Sequence, residues 1–186
     1  MKLSPIITGL MLAGLIIAGM WVFWWRATGY GDQVIVQDIA ALKAIFERID
    51  QECEITGFDY DLNPINFLTV RSFYGNGVGS MNLFKPEKWA GPYLQKNPEF
   101  HGHAYQIACT RWGCFIVPGN GVKLGNGQVI GADIVFDKNT NIPVLVQDKT
   151  KLLSAYGPLA VSLPAKRLSF SDTAPIEAVL QEHNLA

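Results

Sequence analysis

From residue 3 to residue 25 the chain carries no charged side chain, and this limits its architecture more than anything else in it. Residues 6–25 are apolar or small almost throughout, about 30 Å of helix at 1.5 Å per residue, which matches the hydrocarbon thickness of a bilayer. Trp21, Trp24 and Trp25 cluster at one end and Arg26 follows at once, the usual chemistry of a headgroup boundary. A cleaved signal peptide is the competing reading. Its apolar core would run about 7–15 residues and end in a small-residue cleavage site. Here the core is longer, and the tryptophans and Arg26 separate it from Ala27-Thr28-Gly29. Residues 1–26 are therefore read as a retained anchor in membrane lipid. Gly9 with Ala13, and Gly14 with Ala18, have the small-xxx-small spacing that admits a second helix.

Residues 27–33 are rich in glycine and read as a joint that breaks or loosens the helix. Helical periodicity then returns. Ile35, Ile39, Leu42, Ile45, Phe46 and Ile49 mark one face, while Gln37, Asp38, Lys43, Glu47 and Arg48 take the others. Glu47 and Lys43 stand four apart and can pair. Glycine and proline become frequent after residue 56, so the chain beyond should form short strands and tight turns. Residues 57–98 read as a long ordered loop with short elements, kept from disorder by large apolar side chains such as Phe67, Leu68, Phe73 and Trp89.

Three hairpins are expected after that. Strands at 104–109 and 114–117 flank Thr110-Arg111-Trp112-Gly113. Strands at 122–124 and 128–130 flank Gly125-Asn126-Gly127, and strands at 134–136 and 143–146 flank the Lys138–Asn141 turn. A short C-terminal helix is expected over 174–183, capped by Asp172 or Thr173. The fold class is thus α+β: an N-terminal transmembrane helix continuing into an amphipathic helix on a small antiparallel sheet, with residues 34–186 as the domain.

Cys109 and Cys114 bracket the first hairpin and are expected to form a disulfide, with a pair of reduced thiols as the alternative. A bridge needs an oxidising compartment, which favours an N-terminus inside and a domain outside the cytosol. Counting positive charges does not decide the orientation, since Lys2 and Arg26 flank the span on opposite sides. Cys53 is expected to be a small buried apolar residue.

Two loops mimic the first half of a calcium loop: Asp59-x-Asp61-x-Asn63 and Asp137-x-Asn139-x-Asn141. Pro64 and Ile142 stand where the sixth-position glycine is required, so turn chemistry suffices for both, with a calcium at an irregular site as the alternative. His101-Gly102-His103 lacks a third ligand in the nearby sequence. Gly75-Asn76-Gly77-Val78-Gly79 does not stand between a strand and a helix, as a phosphate cradle requires. A net charge of −1 and a pI near 6.3 argue against a nucleic-acid partner. No enzyme and no other cofactor is expected.

The order of elements resembles the type IV pilin-like proteins, and within them the pseudopilins of type II secretion, the major pseudopilin in particular. Asp38-Ile-Ala-Ala-Leu-Lys-Ala-Ile45 is similar to the family's amphipathic half-helix. Trp89-Ala-Gly-Pro-Tyr-Leu-Gln-Lys-Asn-Pro98, with Gly102 and Tyr105 after it, resembles the segment leading from the family's variable loop into its sheet. The family's prepilin peptidase motif, Gly-Phe-Thr-Leu-x-Glu, has no counterpart: Pro5-Ile6-Ile7-Thr8-Gly9 lacks its phenylalanine and its glutamate. The resemblance implies a non-enzymatic, membrane-anchored structural subunit of a secretion or pilus-type envelope assembly. Its partners would be other pilin-like or secretion-system subunits. It implies a bacterial inner-membrane protein with its C-terminal domain in the periplasm, and it keeps Asp137, Asn139 and Asn141 as calcium candidates, since a calcium-stabilised loop follows in the major pseudopilin. The alternative is an anchored extracytoplasmic binding module or accessory subunit of an unrelated membrane complex.

Overall fold

A computed structural model describes the backbone of residues 5–163 and their side chains, except the side chains of 5–10 and 21–29. The expected C-terminal helix lies outside the described residues.

One helix dominates the chain. α1 runs from Pro5 to Cys53, 49 residues without interruption. In its second half the apolar stripe falls on one face, and Ile35, Ile39, Leu42, Phe46, Ile49 and Cys53 are each at most 3% exposed. Burial of this face, more than intrinsic propensity, holds such a helix in place. The joint expected at 27–33 is not there: the helix runs straight through it. The reason is tertiary. Gly31 lies against the Phe100 ring, and the Asp32 carboxylate accepts a 2.8 Å hydrogen bond from the Gly125 N–H. Contacts of this kind outweigh the cost of about 1 kcal/mol for each glycine in a helix.

α1 ends where Glu54 turns left-handed, at φ 55°. Asp50 accepts from the Ile55 N–H at 3.0 Å, and the Lys85 N–H satisfies the Cys53 carbonyl at 2.8 Å. Lys85 also pairs through its ammonium with Glu54. The expected Lys43–Glu47 pair forms at 3.6 Å on the exposed side.

The rest of the described chain is mostly loops and short strands. β1 (Ile55–Phe58), β3 (Gly77–Val78) and β4 (Met81–Leu83) form a three-stranded antiparallel sheet in the order β1-β4-β3. β2 (Leu62–Pro64) joins a second sheet instead. Its other members are β7 (Gln106–Thr110), β8 (Gly113–Val117) and, near the end of the described chain, β11 (Val161–Ser162), in the order β11-β8-β7-β2, again antiparallel. Four consecutive buried residues in β7 and in β8 mean that both faces of this sheet are covered. α1 packs against β8 and β11. Two further hairpins are small: β5 (Glu99–Phe100) with β6 (His103–Ala104), and β9 (Leu153–Ser154) with β10 (Gly157–Pro158).

The architecture is therefore mixed helix and sheet with small antiparallel sheets. The first expected hairpin is β7–β8, and the second survives as a single bridge between Lys123 and Val129. The third does not form. Ile142–Leu145 is a short helix, α2, because Asn141 caps it by accepting from the Val144 N–H and Pro143 suits its first turn.

Among the described residues no helix is long and apolar enough to cross a membrane. The expected span over 6–25 falls partly outside them, since the side chains of 6–10 and 21–25 are not described. At its centre, Met11, Leu12, Leu15, Ile16, Ile17 and Met20 are described, and each is 54–72% exposed.

Candidate functional site

Large apolar side chains on an isolated helix need a cover, because each leaves area in water worth about 25 cal/mol per Å² if buried. Met11, Leu12, Leu15, Ile16, Ile17 and Met20 form such a surface on the first half of α1. It continues along the outward side of the second half, where Tyr30 is 61% and Val34 42% exposed and Ala41 and Ala44 face solvent. Beside this strip lies an open groove, with Ala41, Leu42 and Ile45 on one wall and Leu94, Lys96 and Pro98 on the other. The candidate site is thus a helix face suited to lipid or to other helices.

Two polar contacts fix the rotation of that helix on the domain. Asp32, only 8% exposed, holds the Gly125 turn; burial pushes its carboxyl pKa up, and the Gly125 N–H works against this. Asp38 accepts a 2.8 Å hydrogen bond from the hydroxyl of Tyr105, a side chain 1% exposed. Burial and the Asp38 carboxylate together push the tyrosine hydroxyl well above its ordinary value.

A group whose pKa rises on folding contributes stability that is complete below the unfolded value and is lost as pH climbs through the folded one. Tyr105→Phe should cost about 1–2 kcal/mol at neutral pH. The gap between the two proteins should then close above roughly pH 10, where the unfolded tyrosine ionises. Urea unfolding at pH 7 and pH 11 checks this. A gap that stays constant would mean that the hydroxyl is not buried on Asp38.

Cys109 and Cys114 form the expected disulfide, directly opposite one another across β7–β8 with Cα atoms 4.0 Å apart. The Cys109 N–H bonds outward to Asp61 O, and the Cys114 carbonyl accepts from the Leu163 N–H. They are therefore a non-hydrogen-bonded pair, the kind in which antiparallel strands bring side chains closest. A two-residue loop closes the hairpin, with Gly113 at φ 117° and the Thr110 hydroxyl binding both Trp112 N–H and Gly113 O. Cys53 is free and wholly buried, as expected.

The calcium candidates are engaged locally. Asp137 accepts from the Thr140 hydroxyl and the Asn139 N–H, which hold its carboxyl below the usual range. Asn139 accepts from Arg111, and Asn141 caps α2. In the other loop Asp59 accepts from Asn82, while Asn63, fully buried, accepts from the Tyr60 N–H and donates back to the Tyr60 carbonyl. His101 stacks on Phe100, and His103 lies against Gly121. Among the described residues no three His, Cys, Asp or Glu side chains are grouped to hold a metal ion.

Sequence reasoning missed Asp32, Asp38 and Tyr105. The signal was present for the first: Asp32 stands three residues before Ile35, on the apolar stripe itself. Compared with known proteins, the chain matches no family model, no curated protein and no solved structure.

Proposed function

We propose that this chain is a non-enzymatic, single-pass membrane protein that acts as a pseudopilin-like structural subunit of a secretion or pilus-type envelope assembly. The first half of α1 lies in the bilayer, and the second half holds the domain on the periplasmic side of a bacterial inner membrane. One observation carries the reading: a single helix of 49 residues has one half buried on an antiparallel sheet, while the described side chains at the centre of the other half are large, apolar and exposed. Such a helix is stable only if lipid or neighbouring helices cover it. The Cys109–Cys114 bridge supports an oxidising compartment for the domain. Calcium is not needed to explain the Asp137 turn, which closes through Thr140 and Asn139.

Photo-crosslinking in cells tests the role. A photoreactive residue at Ile16 or Ala41, both exposed on α1, should capture other small pilin-like chains or further copies of this one, giving a ladder of regular spacing. A single adduct to one large membrane protein at both positions would instead make the chain an accessory subunit of an unrelated complex.

A further inference from the structure

The side of α1 turned away from the domain inverts the usual pattern of a surface helix. Ordinarily the charged residues stand opposite the buried stripe. Here the residues opposite are Tyr30, Val34, Gln37, Ala41 and Ala44, all exposed and none charged. Asp38, Lys43 and Glu47 stand on the flanks, and Asp32 is buried. The exposed set is spaced four, three, four and three residues apart, as the d and a positions of a heptad are. Counted back along the helix, the repeat meets Ala13, Ile16 and Met20, also exposed. Between them it passes through positions 23 and 27, where the sequence again has no charge. The buried stripe takes the other side of the repeat: Ile35, Leu42 and Ile49 at b, with Ile39, Phe46 and Cys53 at f. From Ala13 to Ala44 the seam runs about 47 Å, more than four heptads, where about three to four mark a coiled coil.

Lipid cannot cover all of this seam. Val34 lies nine residues beyond Trp25, a rise of about 13 Å, whereas the headgroup layer is roughly 5–8 Å thick. We infer that the occupant is a second copy of this chain and that the two α1 helices pair in parallel and in register, an inference that rests on the anchoring proposed above. A common anchor makes the helices parallel, and a two-fold axis sets each a or d residue against its own copy. A charge at such a position would repel itself, and from Ala13 the seam has none before Arg48. Gln37 would meet a second Gln37, where each amide can donate and accept. A slip of one heptad would set it against Tyr30 or Ala44 instead, so this residue favours the matched register. The flanks agree. Each g residue faces the e position five further on in the second copy, which sets Gln33 against Asp38 and Ala40 against Ile45. The seam stops where it ceases to complement itself: Arg48 is the next a position, and Glu47 would face Glu52. Those charges are paired inside their own helix, Glu47 with Lys43 and Arg48 with Glu52. Leu12 and Leu15, exposed but off the seam, stay open to lipid or to further subunits.

Cysteine cross-linking of the full-length chain in its membrane tests the pairing. Val34→Cys, Ala41→Cys and Ala44→Cys lie on the seam, and Lys43→Cys, at c, lies off it as the control. Cys53 is buried and Cys109 is bridged to Cys114, so copper phenanthroline joins chains through the introduced thiol. Disulfide-linked dimer should form several-fold more at each seam position than at position 43. Adding Ala41→Glu to Val34→Cys should reduce the dimer several-fold, because it sets two carboxylates face to face. Ala41 is exposed, so the double variant should melt as its parent does. A dimer that Ala41→Glu leaves unchanged would overturn the seam as its site. Equal cross-linking on and off the seam, or none anywhere, in protein that alkaline carbonate leaves in the membrane, would overturn the pairing and spare the anchor. Two tagged variants expressed together test the register, and a mixed 34–41 dimer stronger than either matched one would overturn it. Protein released by carbonate would overturn both anchor and pairing.

Discussion

Leu42→Asp is expected to unfold the domain, whereas Lys43→Asp, one residue further on, leaves it folded. Leu42 is 3% exposed and lies in the middle of the stripe that α1 buries, between Ile39 and Phe46. Truncating a buried leucine costs about 2–5 kcal/mol, and an unpaired carboxylate in its place adds a desolvation penalty or a protonation. A loss above about 4 kcal/mol is a large part of the 5–15 kcal/mol that holds a domain together. Lys43 points the other way and pairs with Glu47 at 3.6 Å where both are well exposed. Reversing its charge places two acids four residues apart, at a cost of roughly 0.5 kcal/mol. Circular dichroism melts of the two full-length variants in detergent separate the outcomes. Equal destabilisation would mean that the helix is rotated on the sheet.

Phe46→Ala should be the most damaging truncation in the interface between helix and domain. Phe46 is fully buried and meets the ring of Phe67 edge-on, with centroids 6.2 Å apart. Phe67 in turn fills the space over Gly79, where a Cβ would come within 2.7 Å of its ring. The void left by the alanine has little room to collapse, because the loop around Gly79 is held at φ 58°. A loss of about 3–5 kcal/mol follows, roughly 10 °C in Tm for a domain of this size. Ile45→Ala, on the groove side and only partly buried, should cost about a third as much. A thermal melt that ranks Ile45→Ala below Phe46→Ala in stability would contradict the placement of the core.

Those two positions also show what was legible. The stripe from Ile35 to Ile49 repeats at the helical period over four turns, and a signal that long survives any local exception. The β7–β8 hairpin was legible because two apolar runs flank a loop too short for anything but a reversal. The joint at 27–33 was misread for the opposite reason. Glycine propensity is local, but Phe100 and Gly125 come from about seventy and ninety residues away in sequence to hold Gly31 and Asp32 in the helix. The third hairpin failed on a run of four apolar residues, too short for periodicity to separate strand from helix. There the better signal was Asn141 before Ile142-Pro143, a helix start.

The candidate site was only half legible. The uncharged run over 3–25 points to an apolar helix, and the described side chains at its centre, from Met11 to Met20, are exposed. The contacts that orient the domain on it, Asp32 with Gly125 and Asp38 with Tyr105, join residues 93 and 67 positions apart. No pattern within one segment carries such pairings. The resemblance to pseudopilins rests on layout and on two short segments, and it supplies the proposed role through that layout: a long helix, half of it packed on a small antiparallel sheet.

Whether the first half of α1 lies in lipid decides the proposal, and alkaline carbonate extraction of membranes measures it directly. Full-length protein is expected in the pellet, since residues 6–25 provide about 30 Å of apolar helix. A chain starting at residue 27 is expected in the supernatant, folded by the core that α1 and the sheets share. Full-length protein in the supernatant would contradict the anchor, and with it the proposed place of this chain in an envelope assembly.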